Sequence, residues 1–208
     1  MPNKKSTKVL IGALGPEKTF SDLACDWYIQ KEPKNNFQKK LYASIWEVFD
    51  ALKKGGIEKG IVPIENNIYG TVRETFDSLF QSKLSIVMQF SLPVYHCLAV
   101  KKGTKKSEIT KIISHQQALN QCQAYLRKNY PKAQGISFQS TVAAIKKVTS
   151  ARNLHRAVIC SLKAAKDYDL KVLDQNIEDQ KKNRTLFAVL SKDPKASAEG
   201  KNMRTSVA

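Results

Sequence analysis

Short apolar runs alternate along the chain with stretches whose apolar positions recur at helical spacing, a pattern of βα units that predicts mostly parallel sheets. Lys8 to Ala13 reads as a strand, followed by a Gly-Pro loop and a helix from about Ser21 to Gln30. Gln38 to Tyr42 is a short strand. Ser44 and Glu47 form a capping box ahead of a helix whose buried stripe is Ile45, Val48, Phe49 and Leu52, ended by Gly55-Gly56. Gly60 to Ile64 is the next strand, Glu65 to Gly70 a polar loop, and Thr71 with Glu74 a second capping box opening a helix to about Gln81.

Ser85 to Val100 is mostly apolar, long for one strand, and is expected to cross between two lobes. Lys111 to Ile113 is a strand. From Gln116 to Arg127 the residues Ala118, Leu119, Cys122, Tyr125 and Leu126 share one helical face, and Pro131 stops that helix. Gln134 to Phe138 is a strand, and Ser140 caps a helix carrying Val142, Ile145 and Val148. Ala157 to Cys160 leads to a helix capped by Ser161, and Arg184 to Leu190 is the last clear strand. The polar stretch from Lys192 to Met203 reads as a linker.

Composition narrows the class. With 208 residues, 42% hydrophobic and 25% charged, the chain suits two lobes with real cores. No apolar run approaches the roughly 20 residues of a membrane span. Val9 to Leu14 is too short for a secretory segment, so the chain is expected in the cytoplasm. Cys25, Cys97, Cys122 and Cys160 lie apart among apolar neighbours and read as small hydrophobes. With His96, His115 and His155 scattered, no metal site is expected. The net charge of +17 raises nucleic-acid binding. Yet the lysines come in short pairs such as Lys53-Lys54 and Lys101-Lys102, not interleaved with aromatics, so solvated surface is the expectation. Such a positive field also attracts small anions.

Four strand-to-helix junctions carry hydroxyls or amides: Thr19 to Ser21, Asn66 to Thr71, Ser114 to Gln117, and Ser140-Thr141. In α/β sheets ligands bind beyond the carboxyl ends of the strands, against helix N-termini. A capped helix explains any one of them. Four together, without a nucleotide fingerprint, point to a two-lobed binder of a small anion, enzyme or not.

Five blocks then carry a resemblance. Gly15 to Ser21 resembles the G-P-x-G-T-F-S opening of prephenate dehydratases, and Val62 to Val72 resembles their V-P-I-E-N-S-x-x-G-x-V block. Ser114 to Cys122 is similar to S-H-P-Q-A-L-x-Q-C, and Ser140 to Ala144 to S-T-x-A-A. Asn176 to Asp179, followed by Asn183 to Phe187, resembles the closing block that ends N-x-T-R-F. The resemblance covers residues 8 to about 191, in family order.

The resemblance implies two α/β lobes of the periplasmic-binding-protein type with the active site in the cleft. Residues 7–84 plus 176–192 would form the first lobe and 85–175 the second. Residues 193–208 resemble the start of an ACT regulatory domain, and no chorismate mutase segment precedes the match. It further implies conversion of prephenate to phenylpyruvate, water and carbon dioxide without a cofactor, in a homo-oligomer with no nucleic-acid or membrane partner. Arogenate, with an amine in place of the keto group, and a non-catalytic anion binder are the alternatives.

Thr185 is the implied catalytic residue. Thr19, Ser21, Glu65, Asn66, Ser114, His115, Gln117, Ala118, Ser140, Thr141, Asn183, Arg184 and Phe187 are the implied substrate contacts. Three positions depart from the pattern: Lys18 for a glycine, Gln116 for a proline, and Leu186 for the arginine of T-R-F. If that arginine held a substrate carboxylate, Arg184, two residues away on the same strand face, would compensate and Leu186→Arg would raise efficiency.

Overall fold

The computed structural model describes residues 8–33, 36–151 and 154–194. They form two compact units. One comprises residues 8–16, Phe20–Leu92 and 184–194; the other comprises Glu17–Thr19 and Pro93–Asn183. The expected α/β class is what the chain adopts, with one sheet in each unit. The expected linker lies almost entirely outside the described residues.

In the first unit the elements are β1 (Val9–Leu14), α1 (Phe20–Lys31), β2 (Phe37–Tyr42), α2 (Ile45–Lys54), β3 (Lys59–Asn66), β4 (Gly70–Thr71), α3 (Arg73–Phe80) and β5 (Ser85–Pro93). A returning strand, β11 (Arg184–Ser191), completes its six-stranded sheet, ordered β2-β1-β3-β11-β5 with β4 paired to β3. The capping of α2 follows its sequence. Ser44 Oγ accepts from Glu47 N at 3.2 Å, and the Glu47 carboxylate reaches back to Ala43 N at 3.0 Å. Gly55 ends the helix at φ 75°, a conformation glycine takes without strain. All four residues of the predicted stripe are buried, each contributing roughly 1.5–3 kcal/mol as an upper figure. Gly12 and Gly60 are register partners beneath that helix. A side chain at Gly60 would run into Leu52 and Val48, so close approach of helix and sheet requires glycine there.

The second unit holds β6 (Cys97–Val100), β7 (Lys111–His115), α4 (Gln116–Gln121), α5 (Gln123–Asn129), β8 (Gln134–Phe138), α6 (Thr141–Thr149), β9 (Arg156–Cys160), α7 (Leu162–Asp167) and β10 (Lys171–Gln175). Its sheet runs β10-β6-β9-β7-β8. The apolar stretch from Ser85 to Val100 is therefore two strands, β5 in the first sheet and β6 in the second. All four cysteines are free and buried, and burial pushes the Cys25 thiol up to about 12.

Several expectations change. The sheets are mixed, not mostly parallel: β11 runs antiparallel to β3, and β6 antiparallel to both β9 and β10. Strand β3 extends through Asn66, and Thr71 pairs with Glu65 in β4, one residue short of the cap position of α3. Val72 takes the cap position without a side-chain bond, while the Glu74 carboxylate accepts from Trp46 N at 3.3 Å. The long helix after Gln116 breaks at Cys122 because Asp179 caps a new one there, accepting from Ala124 N at 2.9 Å and Tyr125 N at 3.1 Å. Strand β10 was not expected from the sequence pattern. Of the lysine pairs, Lys53-Lys54 and Lys101-Lys102 are exposed as expected, whereas half-buried Lys39 bridges Asp22 and Asp26 of α1.

Candidate active site

In the first unit the site residues gather where the end of β3 meets the start of β11. Thr185 pairs with Asn66 across the antiparallel ladder. Asn66, 8% exposed, donates from Nδ2 to Thr185 Oγ1 at 3.0 Å and to the Arg184 carbonyl at 3.1 Å. Its Oδ1 accepts from the backbone of Ile68 at 3.0 Å and Tyr69 at 3.1 Å, which folds the turn leading to β4. Asn67 Oδ1 accepts from Arg184 N at 2.8 Å, and Asn67 N donates to Arg184 O at 3.1 Å. Arg184 is thus held on both sides of its backbone.

The Arg184 side chain is held as well. Its Nε donates to Ser91 Oγ at 3.0 Å and its Nη2 to Ser91 O at 2.7 Å, both neutral acceptors on β5. No carboxylate of the described residues forms an ion pair with this exposed guanidinium. Phe187, 1% exposed, lies in the core instead of at the surface, stacked on Phe90 with ring centroids 5.8 Å apart. It anchors β11 two residues beyond Thr185. Glu65 is exposed, opposite Leu186, and Ser21 is buried at the start of α1.

The second unit carries its own polar set at the carboxyl ends of the adjacent parallel strands β7 and β8. Ser114 is fully buried and donates to the Ile159 carbonyl at 2.7 Å, so its hydroxyl secures β7 to β9 and does not cap α4. His115 takes the cap instead, its Nδ1 accepting from Gln117 N at 3.4 Å. His115 and Gln117 are exposed and Ala118 is buried. Ser140 caps α6, accepting from Ala143 N at 3.1 Å, with Thr141 half-buried beside it. An open cavity of about 710 Å³ is lined by Ser137, Phe138, Gln139 and Ala143. Thr19 is half-buried, and Asn183, 1% exposed, accepts from Val94 N through its carbonyl at 2.9 Å. Lys18 adopts φ 68°, the left-handed conformation that suits glycine, and pairs with Asp167 at 2.6 Å. Among the described residues no cluster of His, Cys, Asp or Glu could hold a metal ion.

Sequence reading passed over Asn67, Ser91 and Asp179 as positioning groups. Asn67 stood inside a quoted block, and Ser91 was a polar residue in an otherwise apolar run. Neither signal names a partner more than 90 residues away.

The family model for prephenate dehydratase matches residues 11–195. The chain belongs to the prephenate dehydratase family. It is 38% identical over 193 residues to the prephenate dehydratase of Methanocaldococcus jannaschii, covering 92% of this chain and 68% of that protein. It is 35% identical over 159 residues to the chloroplastic arogenate dehydratase/prephenate dehydratase 1 of Arabidopsis thaliana, covering 76% of this chain and 40% of that protein. The crystal structure of an Arthrobacter aurescens prephenate dehydratase in complex with L-phenylalanine matches with a TM-score of 0.78 and 25% identity, over 95% of this chain and 62% of that one. The chain therefore spans between 40% and 68% of the length of these relatives.

Proposed function

We propose that this chain is the catalytic part of a cytoplasmic carbon-oxygen lyase that converts prephenate to phenylpyruvate, water and carbon dioxide. Prephenate carries a ring hydroxyl opposite its ring carboxylate. As carbon dioxide leaves, its electron pair crosses the ring and expels the hydroxyl, and the product ring becomes aromatic. No base is needed because the departing carboxylate supplies the electrons. What the reaction asks of the protein is a donor for the leaving hydroxyl and fixed dipoles for the carboxylates.

The observation that carries this reading is the Thr185 hydroxyl, held by Asn66 at 3.0 Å, next in sequence to Arg184, whose guanidinium bonds the neutral oxygens of Ser91. Thr185 donates to the leaving hydroxyl, and Arg184 holds a carboxylate through its remaining N–H groups. The enzyme works without a cofactor, as a homo-oligomer, on a small-molecule substrate with no nucleic-acid or membrane partner.

Arogenate is the second reading, favoured by the named activity of the Arabidopsis relative. Incubating the protein with each substrate and measuring phenylpyruvate by ultraviolet absorbance, or phenylalanine by chromatography, tests both. Faster turnover of prephenate supports the first reading, and faster turnover of arogenate the second.

A further inference from the structure

We propose that Asn66 is a positioning residue that forces the Thr185 hydroxyl to act as a donor; the inference rests on the reading of Thr185 given above. A side-chain amide offers two N–H groups and one oxygen with two lone pairs. Here both ends are set by neighbouring groups. Oδ1 faces two backbone amides, Ile68 N and Tyr69 N, which can only donate. Nδ2 faces the Arg184 carbonyl, which can only accept. Flipping the amide would set N–H against N–H and oxygen against oxygen, so the backbone alone fixes its orientation.

The fourth contact follows from that orientation. The second N–H of Nδ2 points at Thr185 Oγ1 at 3.0 Å. An amide N–H has no lone pair, so the Thr185 hydrogen has no acceptor on that side. It must be directed elsewhere, and the hydroxyl meets a ligand as a donor. Accepting one hydrogen bond also strengthens the one a hydroxyl gives. A threonine without this neighbour could turn either lone pair or proton toward the substrate. Asn66 removes the choice, and does so from a residue that is itself 8% exposed.

Asn66→Asp tests this at nearly constant shape. One carboxylate oxygen still accepts from Ile68 N and Tyr69 N. The other gives up the bond to the Arg184 carbonyl and faces Thr185 as an acceptor, so the hydroxyl turns its proton inward and is lost as a donor. The expected result at neutral pH is a fall in kcat of roughly 10²–10³-fold, within the range for losing a general acid, with KM changing less than about threefold. In a Thr185→Val background, Asn66→Asp should add less than about threefold further loss, because its effect passes through the hydroxyl. If Asn66→Asp does not fold, Asn66→Ser in the same cycle takes its place. Losses that multiply in the double variant, or an Asn66→Asp enzyme with wild-type kcat, overturn the proposal while leaving the activity standing. Failure of the wild-type protein to turn over either prephenate or arogenate overturns the activity and this inference together.

Discussion

Leu186 lies directly across the β3–β11 ladder from Glu65. Residues directly opposite in a ladder share one face of the sheet, so the arginine that the family motif places at this position would meet the Glu65 carboxylate. Thr185 and Asn66, one position along, project to the other face. The register thus gives an arginine at this position a carboxylate partner across the ladder. Leu186 packs against the cluster that includes Ile64, Ala188 and Leu190, while Glu65 stays exposed.

Leu186→Arg is therefore expected to leave stability within about 1 kcal/mol, since an exposed ion pair offsets part of the lost apolar contact. Catalytic efficiency should change less than about threefold. A tenfold gain in kcat/KM toward prephenate would restore the arginine as a substrate group.

Arg184 has the opposite expectation. Its guanidinium is held by Ser91 through two bonds to neutral oxygens, which leaves its other N–H groups free to receive a carboxylate. A charge-assisted hydrogen bond is worth roughly 1.5–3 kcal/mol, or about 10- to 100-fold in affinity. Arg184→Ala should raise KM by that factor with little change in kcat. An unchanged KM in steady-state kinetics removes Arg184 from the site.

The second unit carries a pH-dependent element. His96 is 4% exposed, and burial holds its pKa below the usual histidine value against the opposing pull of Gln121 and Glu178. A lowered folded-state pKa means the unfolded chain binds the proton first. The stability is present above about pH 6.5, the ordinary histidine pKa, and is lost as pH falls through the lower folded value. Melting temperature should fall between pH 7 and pH 5, and His96→Gln should flatten that slope. Identical slopes in the two proteins would contradict the assignment.

Local chemistry was legible in the sequence; long-range pairing was not. The bounds of β8, the Ser44, Ser140 and Ser161 caps and the Gly55 stop follow from neighbours a few residues apart. Thr71 was misread because its ladder with Glu65 outweighs a local capping signal. The break at Cys122 depends on Asp179, more than fifty residues downstream, and periodicity alone runs straight through it. Thr185 and Asn66 were both marked by their blocks. Their hydrogen bond joins residues 119 apart, and only the β3–β11 register reveals it. Phe187 stood in the same motif and shares a strand face with Thr185, but two residues further along that face is covered and its ring packs on Phe90.

The central claim is that the Thr185 hydroxyl donates a hydrogen bond to the leaving group in a dehydrating decarboxylation. Turnover of prephenate by the wild-type protein and by Thr185→Val, followed as phenylpyruvate absorbance with melting curves alongside, tests it most directly. Valine keeps the branched shape and the strand propensity while removing only the hydroxyl, so folding should be retained. The account predicts phenylpyruvate from the wild-type protein and a kcat lower by roughly 10²–10⁴-fold in Thr185→Val at similar KM. A folded Thr185→Val enzyme with near-normal kcat would contradict it.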